Sequence, residues 1–305
     1  MTAHDERGRE HPFDANHLGK LERGNVRRPG PLIRAALCAV LDATEADLGF
    51  IPGAQDDRLA AGVCGRLRPD EAAVDAVASV LSSLRRLEDT TSAAEVVSAV
   101  RTQAAVAKRL AENASGATRD RAVGLVSELE QYQGWLAIPL RQWAQAREHL
   151  DRAAVLALEA KDPTRLANAL SFAAYRNLLR QNVTSAVALN AAAARQDVAL
   201  GLRTYMTFQR AELLAYNAER DGARRVLVEA DRSLDRLADS TETADDSGYW
   251  YTPAVLLGHR GFVLNALGDR AGARDAATDA LATMPPEWAT AEWAAEQRSL
   301  AGRDS

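Results

Sequence analysis

Apolar residues recur at intervals of three and four through most of the chain, the spacing of helices that bury one face. Leu18 and Leu21 share one side of a short helix that Asp14 can cap, while Asn16, His17 and Lys20 turn to the other side. Gly24 stops that helix, and Pro29 and Pro31 delay the next until Leu32–Leu41, where Ile33, Ala36, Leu37, Val40 and Leu41 form a core stripe. Thr44 to Phe50 reads as a capped short helix or turn. The pattern loosens from Ile51 to Pro69, where Pro52, Gly53, Gly62, Gly65 and Pro69 punctuate it, although Leu59, Val63 and Leu67 allow a turn or two of helix. From Asp70 the helical period takes over. Val74, Val77, Val80, Leu81 and Leu84 mark one amphipathic helix and Val96, Val97, Val100, Ala104, Val106 and Leu110 a second, with breaks at Asp89-Thr90-Thr91 and at 113–116.

The pattern divides the chain into a polar tail (1–13), a small helical head (14–50), a linker (51–69) and a long helical body (70–305). Within the body a small residue is followed by alanine twelve positions later and by another after seven more: Gly134, Ala146, Ala153; Ala174, Ala186, Ala193; Ala211, Ala223, Ala230; and Gly261, Ala273, Ala280. Small residues at fixed intervals are needed where two helices of a hairpin cross closely and where the next hairpin stacks on them. The steps between repeats are 40, 37 and 50 residues, the longest containing an acidic insertion from Ala238 to Gly248. The expected fold is all-α.

Composition adds limits. Aromatic residues make up 5% of the 305-residue chain, glycine and proline are sparse, and the formal net charge is -5. Charge is uneven: between Asp14 and Ala35 five basic residues face two acidic ones, a local excess that suits a small phosphate-facing patch but that composition alone reads first as a solvated helix-loop face. Cys38 and Cys64 lack a metal or redox spacing and fit a reducing cytoplasm. Neither an apolar leader nor a run of about 18 apolar residues occurs, so no membrane span is expected. His4, His11 and His17 are too few and too spread for a metal site, and no phosphate loop, zinc-protease or nucleophile-elbow motif is found. The acidic residues alternate with arginines along helix faces. We therefore expect no cofactor, no metal and no enzymatic activity.

Two resemblances sharpen this reading. The run Leu18-Gly19-Lys20-Leu21-Glu22-Arg23-Gly24 resembles the recognition-helix signature of XRE-type, lambda-repressor-like helix-turn-helix regulators, and 34–41 and 45–50 look like their next two helices. Only thirteen residues precede the helix that starts at Asp14, too few for the two helices that open such a domain, so the head is expected to be N-terminally shortened or to start upstream of Met1. The resemblance implies DNA binding, with Asn16, His17 and Lys20 at base edges and Arg23, Arg27, Arg28 and Arg34 at phosphates. The small-residue series, with 268–280 as its best instance, resembles the tetratricopeptide repeat, which implies an α-α superhelix. In such arrays the first helix of each hairpin lines the concave side. By that analogy Trp135, Tyr175, Glu212 and Phe262 face a groove, joined by Glu128, Asn168, Tyr205 and Val255 and by Gln131, Ser171, Phe208 and Gly258. These side chains either hold a peptide, small effector or protein partner, or fill the core between hairpins. The function expected is a cytoplasmic transcriptional regulator, with a symmetric dimer as the usual state; the alternative is a peptide- or protein-binding scaffold without DNA binding.

Overall fold

The structure is a computed structural model that describes residues 2–4, 10–12, 30–41, 43–45, 55–240 and 248–302. The chain divides into two compact units, Met1–Ala73 and Val74–Ser305.

In the first unit, strands β1 (Thr2–His4) and β2 (Glu10–Pro12) form a short antiparallel ladder within the stretch expected to be a tail. Helix α1 (Pro31–Leu41) begins where the prolines allow it, and α2 (Gln55–Val63) occupies the expected linker. The apolar stripe of α1 is only partly used as core: Leu37 is buried, whereas Val40 and Leu41 are 60% and 56% exposed because the last turn runs beyond its packing. Arg34 pairs with Glu45 at 3.6 Å, with its Nε buried and without a hydrogen-bond partner. The predicted DNA-reading residues Asn16, His17, Lys20, Arg23, Arg27 and Arg28 lie outside the described residues.

The second unit is a stack of helix pairs. Helix α3 (Glu71–Glu88), in which the unit begins, and α4 (Ala93–Asn113) end and start at the two expected breaks. Four hairpins follow: α5 (Gly116–Ala137) with α6 (Trp143–Glu159), α7 (Pro163–Leu179) with α8 (Val183–Ala193), α9 (Leu200–Tyr216) with α10 (Arg220–Ala238), and α11 (Pro253–Ala266) with α12 (Arg270–Thr283). Short α13 (Pro286–Thr290), a 3₁₀ turn (Glu292–Ala294) and α14 (Ala295–Ala301) close the chain. Successive first helices α5, α7, α9 and α11 touch one another, forming an inner layer, as an α-α superhelix requires. No described helix is long and apolar enough to cross a membrane.

The twelve small positions are all buried. A methyl group on Gly134 would lie 2.6 Å from Leu150 Cγ, and one on Gly261 would lie 3.2 Å from the carbonyl oxygen of Ala273, so each hairpin crosses at its small residue. Seven positions after it, the chain turns through left-handed backbone: Arg141, Gln181, Ala218 and Gly268 have φ of 56°, 59°, 63° and 83°. The next residue's N–H then reaches back to a carbonyl five positions earlier, as in Gln142 to Ala137 and Asp269 to Leu264, which satisfies a helix end that would otherwise be orphaned. Asp162, Asn182, Thr252 and Asp269 accept from backbone N–H groups as N-caps.

Candidate functional site

The inner layer encloses a cavity of about 130 Å³ that continues into a wider one of about 390 Å³. Four of the predicted groove positions follow one rule. Trp135, Tyr175, Glu212 and Phe262, each just after a small residue, are half-buried and line the two cavities, as do Glu128, Asn168, Tyr205 and Val255 six before it. The third register differs. Gln131, Ser171, Phe208 and Gly258 are all buried, because this position faces the seam between successive first helices. Gln131 still reaches the cavity, but Phe208 does not: it is fully buried in the core formed by α9, α10 and α11, which corrects its assignment to the groove.

Closure of the body makes the groove a cavity. Asp89, at the end of α3, accepts hydrogen bonds from Tyr249 Oη at 2.9 Å and Trp293 Nε1 at 3.0 Å, and Glu292 accepts from the first N–H of α4, on Ala93, at 2.9 Å. The two ends of the stack are thus joined over more than 150 residues of chain.

Aromatic rings build the walls. Of the sixteen Phe, Tyr and Trp residues, nine line the first cavity. Trp250 lies at its centre, meeting Phe172 edge to face at 5.9 Å and Tyr205 at 5.3 Å, while Trp135 meets Phe172 at 5.6 Å. Tyr205 also meets His259 at 4.9 Å, and His259 meets Phe262 at 5.4 Å. Burial pushes the His259 imidazolium down to about 4, so the ring is neutral at pH 7. Tyr251 donates to the Asn168 side chain, which fixes one end of the wall.

Buried acids punctuate these walls in three ways. Glu88 accepts from Tyr132 Oη at 3.1 Å and Trp135 Nε1 at 3.2 Å, yet desolvation lifts its carboxyl to about 7. Asp89 is also raised by burial, against the pull of its phenol and indole donors. Glu128 is desolvated too, but Arg85 at 2.6 Å and Arg165 at 2.8 Å hold it below the usual carboxylate range. Arg165 is anchored in turn by Asp162. Glu212 and Glu296 have neither arrangement. Burial raises both, Glu212 to about 8, and the charge of Glu296 raises Glu212 further.

The chain matches no protein-family model, no curated protein sequence and no solved structure. Sequence reasoning missed Arg85, Glu88, Asp89, Arg165, Tyr249, Trp250, His259, Trp293, Glu296 and Gln297. One signal was legible: Tyr249-Trp250-Tyr251 concentrates three rings directly after the acidic insertion in a chain otherwise poor in them.

The arrangement suits holding a molecule. Rings supply apolar area and edges, and the acids and amides supply oriented acceptors.

Proposed function

We propose that this chain is a transcriptional regulator whose helical-repeat body binds a small effector or short peptide in the cavity and whose basic N-terminal segment contacts DNA. The observation that carries the binding half is the concentration of aromatic and buried polar side chains from successive inner helices around one cavity. The DNA half rests on residues 18–24, which resemble the recognition helix of XRE-type regulators, and on the basic excess around them. The helix-pair stack resembles tetratricopeptide arrays, which bind rather than react, and Glu88, Asp89 and Glu128 of the first cavity are engaged by phenol, indole and guanidinium donors rather than arranged as a free acid–base pair. A symmetric dimer in the cytoplasm would complete such a regulator.

A mobility-shift titration at two salt concentrations tests this reading. Lys20→Ala should weaken sequence preference, and Arg27→Ala/Arg28→Ala should lower the salt dependence by roughly one unit per charge removed. Arg34→Ala should change little, since its guanidinium is paired with Glu45. That pairing also favours a second reading, a peptide- or protein-binding scaffold that does not read DNA. Absence of any shift with the unmodified protein at low salt would leave the scaffold reading in place.

A further inference from the structure

The wider cavity holds two carboxylates that lack a counter-charge. Glu212 comes from α9 and Glu296 from α14, and both line it together with Tyr175, Tyr205, His259 and Phe262. Among the described residues that line this cavity there is no lysine or arginine, and neither carboxylate has a hydrogen-bond donor. Among the described lining residues the one imidazole is His259, which burial keeps neutral. Beside Glu296 stands Gln297, 97% removed from solvent (3% exposed), with its side-chain oxygen buried and unpartnered. Gln297 lines the first cavity, which shares Glu296 with the wider one, and Gly258 leaves room for the glutamine there: a methyl group would sit 3.1 Å from its Cγ.

An acceptor amide without a donor and two carboxylates without a cation all call for the same kind of partner, a cationic N–H donor. Aromatic faces around such a point add to the attraction of a positive charge. We infer that the effector is an organic cation, a protonated amine carried on an apolar or aromatic body, with its ammonium group between Glu212 and Glu296, an N–H donated to Gln297 and its body against the rings of the cavity. The inference rests on reading the cavity as an effector pocket and specifies what enters it. The elevated carboxyls of Glu212 and Glu296 agree with it, because a bound cation would offset the cost of their burial and the charge of Glu296 that bears on Glu212. Glu88 and Asp89 are poorer anchors for the cation: their oxygens already accept from Tyr132, Trp135, Tyr249 and Trp293. Glu128 is neutralised by two arginines.

The test titrates the full chain with 2-phenylethylammonium, 2-phenylethanol and phenylacetate, each to roughly 10 mM, following the tryptophan fluorescence of the cavity wall. The ammonium should bind about tenfold more tightly than the alcohol and phenylacetate least. In Glu212→Gln/Glu296→Gln the ammonium and alcohol should bind alike, with near-UV circular dichroism confirming a folded protein. Should that variant fail to fold, Glu296→Gln and Gln297→Met should each reduce the preference for the ammonium several-fold. The inference is overturned if the alcohol or phenylacetate binds as tightly as the ammonium, or if the preference survives these substitutions. Binding of the alcohol without a charge preference would leave the pocket reading standing; binding of none of the three would overturn both.

Discussion

Glu128→Gln should unfold the body far more readily than its small change in volume suggests. The carboxylate joins three helices: Arg85 of α3 donates to Oε1 at 2.6 Å, and Arg165 of α7 donates to Oε2 through Nε at 3.2 Å and Nη2 at 2.8 Å, with Glu128 itself on α5. The side chains of Arg85, Glu128 and Arg165 are 9%, 11% and 31% exposed. Breaking such a pair by removing one charge typically costs about 3–5 kcal/mol, since the partner is left buried and uncompensated. Arg165 keeps Asp162, so the penalty falls mainly on Arg85, whose remaining contact is the Tyr132 ring at 5.3 Å; we expect the lower end, about 3 kcal/mol. For a body of this size that corresponds to a fall in Tm of about 6–12 °C. The folded Glu128 carboxyl is held below its ordinary value, so its contribution is present above the unfolded pKa and is lost as pH falls through the folded one. The difference between wild type and variant should therefore shrink in acid. Urea unfolding followed by far-UV circular dichroism at neutral and acidic pH measures it, and Arg85→Met/Glu128→Leu should recover most of the loss by replacing the pair with apolar volume. A cost under about 1 kcal/mol at neutral pH, or a double variant less stable than Glu128→Gln, would refute the reasoning.

Two further outcomes follow from backbone and charge. Ala218→Gly, at a φ of 63°, should stabilise the α9–α10 hairpin by up to about 1 kcal/mol in denaturant titration, and Gly268→Ala, at 83°, should cost about as much. Glu88 has a folded carboxyl raised to about 7, so the native state binds its proton more tightly than the unfolded chain does; this favourable term is present in acid and lost as pH rises toward 7. Glu88→Gln should consequently gain on wild type by up to about 1.4 kcal/mol per pH unit between roughly pH 5 and 7, as read from thermal unfolding across that range.

The hairpins were legible because close helix crossing is a local demand. A crossing that admits no more than a hydrogen or a methyl repeats at fixed chain spacing whatever surrounds it, so Gly134, Ala174, Ala211 and Gly261 betray both the pairing and the register of every first helix. From that register Trp135, Tyr175, Glu212 and Phe262 could be placed on the inner surface without coordinates. Phe208 shows where the inference stops. Its register is the same as that of Gln131, Ser171 and Gly258, yet residue type there depends on the gap between neighbouring first helices, which the superhelical path sets and the pattern does not encode.

Closure is the other part the sequence withheld, and for a related reason. The contacts that turn a groove into a chamber, Asp89 with Tyr249 and Trp293, join residues 160 and 204 positions apart, and α14, which brings Glu296 and Gln297, lies outside the repeat altogether. No periodicity can announce a segment that occurs once. It follows that the repeated helices provide most of the aromatic wall and Glu212, while the parts that break the repeat complete the site, the insertion's aromatic end with Trp250 and the C-terminal helix with the acceptors Glu296 and Gln297. Change of ligand among chains built this way should therefore track residues 249–251 and 288–297 rather than the small residues that hold the hairpins together.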